Sequence, residues 1–168
     1  WQLGIPGTLR QLGWSMTRSS IDLGNQLAET GFLPTLEQIG HAVATQGISA
    51  LLVGATARDL VLHYGYGATI RRATRDIDFG VQVTSWQAFQ QLREQLIATD
   101  WSTAPALPHR LISPDSIQVD LVPFGDDVTD QAGQIAWPPS GEIVMTVLGF
   151  KEALDHAVQV RVSSDPPI

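Results

Sequence analysis

The sequence predicts an α/β (α+β) fold, a mixed β-sheet flanked by helices. Three observations carry that expectation. Helix-like and strand-like stretches alternate through the first hundred residues. A two-strand pattern around a Ser-Pro-Asp-Ser turn then follows (113–116). Helices alternating with strands and followed by a hairpin suit a mixed sheet better than a bundle or a sandwich.

The elements follow in order. Residues 35–46 read as a helix, because Leu36, Ile39 and Val43 share a face and Gly47 stands where a helix terminator belongs. Residues 49–53 are a short buried strand. Residues 56–64 continue as a helix until Gly65-Tyr66-Gly67 breaks it. Residues 76–83 are strand-like. The clearest helix spans 85–98, with Ser85 as its cap and Trp86, Phe89, Leu92, Leu96 and Ile97 as its apolar set. Residues 109–112 and 117–122 flank the turn as a hairpin. Beyond Pro123 the pattern weakens, leaving strands at 143–147 and 158–162 around a short helix at 151–156.

The 168 residues suffice for one domain with its own core, and no internal repeat is visible. With 43% apolar and 16% charged residues the chain reads as globular. No apolar run reaches the roughly 18–20 residues that span a bilayer, and no leader pattern opens the chain. A cytoplasmic protein with no membrane partner is therefore expected. Cysteine is absent, which excludes disulfides and thiolate metal sites. The net charge of −7 argues against broad coating of nucleic acid. Four of the ten basic residues, Arg58, Arg71, Arg72 and Arg75, nevertheless cluster near the acids described next. Local positive charge there suits a triphosphate, and a solvated loop is the competing reading for Arg71 and Arg72.

The chemistry concentrates between Leu51 and Asp120. An apolar run, Leu51-Leu52-Val53, ends in the turn Gly54-Ala55-Thr56, and a second apolar run opens with Asp76-Ile77-Asp78-Phe79. Positions i and i+2 of a strand point the same way, so Asp76 and Asp78 put two carboxylates on one face. Such a pair suits Mg2+ or Mn2+, hard cations that take oxygen ligands and share them with phosphate. Asp120 interrupts the apolar strand Gln118-Val119-Asp120-Leu121-Val122, where a carboxylate is costly unless paired or metal-bound. Beside Asp76 and Asp78 it would complete a three-carboxylate cluster able to hold two metals for in-line displacement at phosphorus. Backbone N–H groups of the Gly54 turn could face phosphate oxygens, and the Thr56 hydroxyl could donate one more hydrogen bond.

In that order and spacing, Gly54-Ala55-Thr56, Asp76-Ile77-Asp78 and Asp120 resemble the nucleotidyltransferase superfamily with a DNA polymerase beta-type core. Gly54-Ala55-Thr56-Ala57 with Arg75-Asp76-Ile77-Asp78-Phe79 resembles the abortive-infection toxin nucleotidyltransferases of bacterial toxin–antitoxin pairs. Gly54-Ala55-Thr56-Ala57-Arg58-Asp59 is also similar to the head motif of the tRNA CCA-adding enzymes. The likeness covers about half the chain, residues 36–124. It implies a nucleotidyltransferase fold, with a C-terminal part of the domain missing from the chain. Because the chain opens on Trp1 and Met16 could serve as a start, residues 1–15 read as a tag or extension and 16–168 as a single domain. The activity it implies is Mg2+-dependent transfer of NMP from an NTP to a hydroxyl of RNA, tRNA, a protein or a small molecule. An antitoxin or second subunit is a possible partner. Asp76, Asp78 and Asp120 would be catalytic and ligate the metals, and Gly54, Ala55, Thr56, Arg58 and Arg75 would bind the nucleotide.

Two departures stand out. The family usually has glycine where this chain has Ala55, and its later helical motif with a basic residue and an acid is not found here. A nucleotide- or partner-binding relative without turnover is thus the rival to an enzyme. A sugar-nucleotide transferase also uses Asp-x-Asp on a metal, but the Gly54 turn lies wrongly for one. Arg58 and Asp59 read equally as a surface ion pair, and Arg75 as a counter-charge to the acid pair. His63, Tyr64 and Tyr66 read as packing rather than base stacking, and His41, His109 and His156 as structural.

Overall fold

The computed structural model describes residues 2–6, 20–22, 31–68 and 76–161. They form a mixed α and β architecture around an eight-stranded sheet, with a separate two-stranded ribbon. In chain order the elements are β1 (Gln2–Pro6), β2 (Ser20–Asp22), α1 (Leu33–Thr45), β3 (Ser49–Val53), α2 (Gly54–Asp59), β4 (Asp76–Gln82) and α3 (Trp86–Ile97). Then come β5 (Ser102–Thr103), β6 (Arg110–Ile112), β7 (Gln118–Phe124), β8 (Gln134–Ala136), β9 (Val144–Thr146), α4 (Phe150–Asp155) and β10 (Ala157–Arg161). The large sheet runs β2-β10-β1-β3-β4-β7-β6-β5. β3 is antiparallel to β4, β4 is parallel to β7, and β6 returns antiparallel to β7. The parallel pair needs a crossover, which α3 supplies.

The two long helices form where the apolar period predicts them. In α1, Leu36 and Ile39 are fully buried and Val43 nearly so, each such side chain worth about 1.5–3 kcal/mol of transfer free energy. Pro34 sits in the first turn, where no intrahelical N–H is missed, and Gly47 leaves the helix at φ +66°. In α3 the Ser85 hydroxyl accepts from the Ala88 N–H at 3.1 Å, as an N-cap should. Phe89, Leu92 and Leu96 face the core, whereas Ile97, expected with them, is the last residue of the helix and 37% exposed.

β4 and β7 alternate cleanly. Ile77, Phe79 and Val81 with Val119 and Leu121 belong to the main core beside the residues of α1 and α3. The opposite face carries Asp76, Asp78, Gly80 and Gln82 beside Gln118, Asp120, Val122 and Phe124. The far end of that second face is roofed by α4. Phe150 meets Phe124 edge-on, with centroids 5.6 Å apart. Gly80 makes room for it, since a Cβ there would lie 2.8 Å from the Phe150 ring. The near end, with Asp76, Asp78 and Asp120, is only partly buried.

The hairpin that brings Asp120 into place is pinned to α1 by a buried polar pair. Thr35 donates to the Ser113 hydroxyl at 3.0 Å, and Ser113 accepts also from the Ile117 N–H at 3.2 Å. β7 continues through Pro123 to Phe124 rather than ending at Val122. Pro123 is tolerated because its missing N–H would point to the side of β6, and β6 pairs only with residues 118–120 of β7.

Three further differences from the sequence reading have local causes. The helix after β3 begins at Gly54 and widens into a π-helical turn over Leu60–Gly65, a ring size that side-chain periodicity does not encode. β8, not anticipated, pairs with β9; its single buried side chain, Ile135, leaves too short an alternation to read. Gln2–Pro6 forms a strand between β10 and β3 in the large sheet, although residues 1–15 read as a tag or extension.

Gly80→Ala is expected to destabilise the protein by about 1–3 kcal/mol through overpacking against Phe150. Urea unfolding checks this, and Gly80→Ala/Phe150→Leu should recover part of the loss; equal losses in the single and double variants would remove Phe150 as the cause.

Candidate functional site

The site is built on one rung of the sheet. In register, Val53 of β3 faces Asp78 of β4, Asp78 faces Asp120 of β7, and Asp120 faces Arg110 of β6. Two residues along the strand, past the Ile77–Val119 pair, Asp76 lies opposite Gln118. Register partners share a face, so the three aspartates predicted from the sequence come together on one surface of β4 and β7. Their mutual repulsion is visible in Asp78. Burial first, then the negative charges of Asp76 and Asp120, raise its carboxyl above the ordinary aspartate range, and Arg110 partly offsets this.

The Gly54 turn presses on the same carboxylate. Gly54 sits at φ +72°, a left-handed conformation that side chains disfavour, and a Cβ there would collide with the Asp78 carboxylate, 3.1 Å from its Cγ. Turn and acid pair are therefore in contact. Ala55, the next residue, is half-buried in the first turn of α2. Thr56 plays a different part from the expected one. It is buried, and its hydroxyl donates to the Asp76 carbonyl oxygen at 2.7 Å. That proton is committed to holding α2 on the start of β4, so Thr56 positions the acid pair rather than offering a donor to phosphate.

Arg110 is the residue that sequence reasoning missed. Its Nε and Nη2 donate to the two oxygens of Asp120, each at 2.7 Å, and Nη1 donates to Gln118 Oε1 at 2.6 Å. This is a two-pronged guanidinium–carboxylate pair. It is largely shielded from water, with side-chain exposures of 23% and 13%, so it counts for more than a surface pair. The hydrogen bond to Asp120 holds the guanidinium firmly protonated. A strand arginine two residues inside a hairpin carries no motif. The one signal available was its place in the hairpin register opposite Asp120.

His109 also stands at the site, although it read as structural. Its Nε2 is 3.8 Å from Asp120 Oδ2, beyond hydrogen-bond length. Its ring lies 6.0 Å from that of Trp137, which also packs against Trp86 and Phe89. Burial pushes its imidazole below the usual value; Asp120 opposes this, and Arg110 and Arg93 add to it. Neutral His109 thus adds no charge to the rung at neutral pH.

The expected nucleotide-binding arginines fare differently. Arg58 pairs with its neighbour Asp59 at 2.8 Å and its side chain is 61% exposed. Arg75, with Arg71 and Arg72, lies outside the described residues. Tyr66 is 63% exposed, and His63 Nδ1 is 2.6 Å from the Ala68 carbonyl oxygen.

The fit to a divalent cation is partial. Asp76 and Asp78 are adjacent, share a face, and carry negative charge that Arg110 offsets only in part. Asp120, expected as a third ligand, gives both oxygens to Arg110. Among the described residues no group of three His, Cys, Asp or Glu side chains is arranged to hold a metal ion. No helix among them is long and apolar enough to cross a membrane. No family model, no curated protein and no solved structure matches the chain.

Because Asp78 binds its proton more tightly folded than unfolded, the folded state holds more protons just above pH 3.8. Stability then falls as pH rises from there through the folded pKa. In metal-free buffer Asp78→Asn should flatten that slope and unfold at a higher urea concentration than the parent at pH 7. A parent and variant with parallel pH profiles would show that Asp78 is not strained.

Proposed function

We propose that this protein is a Mg2+- or Mn2+-dependent nucleotidyltransferase that moves NMP from an NTP to a hydroxyl acceptor and releases pyrophosphate. The observation that carries the reading is the contact between the Gly54 turn and Asp78, with Asp120 in register beside it. A turn that brings backbone N–H groups against an acid pair is what a metal–triphosphate needs. The antiparallel β3–β4 and parallel β4–β7 pairs, joined by α2 and α3, also suit a nucleotidyltransferase fold.

In this reading Asp76 and Asp78 hold the cation. When bound, the cation polarises phosphoryl oxygens and offsets charge on the displaced pyrophosphate. Gly54 and Ala55 face the phosphates with backbone N–H groups, and Thr56 fixes the distance between that turn and β4. Asp120 takes the proton of the acceptor hydroxyl as its oxygen bonds to the α-phosphorus and the bond to pyrophosphate breaks. The fork from Arg110 leaves each Asp120 oxygen a second lone pair for that proton. Arg110 and Gln118 fix the orientation of the carboxylate. The acceptor class, RNA, tRNA, protein or small molecule, and a role as the toxin of a toxin–antitoxin pair rest on the resemblance alone.

A second reading is a nucleotide- or partner-binding relative without turnover. It is favoured by Ala55 at a position usually glycine and by the engagement of Asp120 with Arg110.

Incubation with each of the four α-32P-labelled NTPs, Mg2+ and total bacterial RNA tests the proposal. Label should appear on RNA or protein, vanish in Asp78→Asn, and form about 10²–10⁴-fold more slowly in Asp120→Asn. Calorimetric binding of an NTP with Mg2+ but no labelled product would favour the second reading. No binding of any NTP would remove nucleotide binding from both readings and leave only the partner-binding form of the second.

A further inference from the structure

The three acids of the rung are not equivalent, and the difference predicts how many cations the site takes. Resting on the nucleotidyltransferase reading, we infer that Arg110 withholds Asp120 from metal, so that the site takes one divalent cation on Asp76 and Asp78 rather than two across all three carboxylates.

The argument starts from charge and direction. Both oxygens of Asp120 face the guanidinium, with Nε and Nη2 at 2.7 Å. A second divalent ion on Asp120 would have to sit beside a delocalised cation held to the same oxygens. Like charges a few ångströms apart repel, and the low exposure of this pair, 23% and 13%, limits screening. The guanidinium is not easily displaced sideways. Nη1 is tied to Gln118, so Arg110 grips β7 at two positions, and its backbone lies in a paired strand. Deprotonation does not release it either, because an arginine guanidinium keeps its charge. Among the described residues neither Asp76 nor Asp78 has a hydrogen-bonded cation of this kind. The two carboxylates share one face of β4, two residues apart, where a cation between them would offset their like charge. Arg110 is thus a positioning residue. It supplies the positive charge on the Asp120 side that a second metal would otherwise supply, and it keeps Asp120 aimed as a base.

Counting Mn2+ per chain by electron paramagnetic resonance, on the whole chain stripped with EDTA, tests this without reference to turnover. The parent should bind one ion tightly, and Asp78→Asn should abolish it. Arg110→Met should bind two, and Arg110→Met/Asp120→Asn should return to one. Arg110→Gln, which removes the charge but keeps a hydrogen-bonding group, should also bind two and serves if the methionine variant fails to fold by circular dichroism. Two ions on the parent would overturn the inference while leaving the nucleotidyltransferase reading in place. One ion on the parent and on both Arg110 variants would remove Arg110 as the reason. No Asp78-dependent ion on the parent would overturn the cation reading itself, and the inference with it.

Discussion

The parallel pairing of β4 with β7 is the constraint on which the site depends. Its register sets Asp78 beside Asp120 and Asp76 beside Gln118, and the same seven-residue ladder continues to Gln82 and Phe124. A shift of one residue would turn either row of acids into the core and the apolar row outward. The fully buried row, Ile77, Phe79, Val119 and Leu121, forbids that shift. The apolar residues between them therefore hold Asp76 and Asp78 against their mutual repulsion, while Asp120 is also gripped by Arg110.

Charge is distributed unevenly across the rung. Asp120 is matched by Arg110 from β6, whereas Asp76 and Asp78 share the β4 edge with the Gly54 turn. Desolvation makes this imbalance matter, since a half-buried carboxylate without a counter-charge is pushed toward its neutral form. Asp78 shows that response, which the more distant Arg110 offsets only in part. A fold that keeps such a group strained gives up stability at the place where a cation and phosphates could restore it.

Glycine does separate jobs at the two ends of the acid face. At Gly54 the positive φ and the close approach of Asp78 leave no room for a side chain. At Gly80 the limit is purely volume, set by the Phe150 ring. The first shapes the open end of the face and the second lets α4 close the other, so the face becomes a partly covered ledge.

Much of this was legible in the sequence, for local reasons. The faces of α1 and α3, the cap at Ser85, the stop at Gly47, strands β3 and β4 and the hairpin follow from periodicity and turn chemistry, which act over a few residues. The shared face of Asp76 and Asp78 needs only the strand period. Tertiary structure decided what depends on partners distant in the chain. The Thr56 proton goes to a carbonyl 20 residues away, and His109 comes to Asp120 because it immediately precedes β6. Arg110 meets Asp120 only because the Ser113 turn, tethered to Thr35 of α1, sets the hairpin register. β1 and β2 find pairing partners in β10 more than 100 residues away, beyond any local pattern. The sequence by itself determined which acids could share a face. Only the packed sheet decided which of them already has a counter-charge, because that depends on which strand lies alongside.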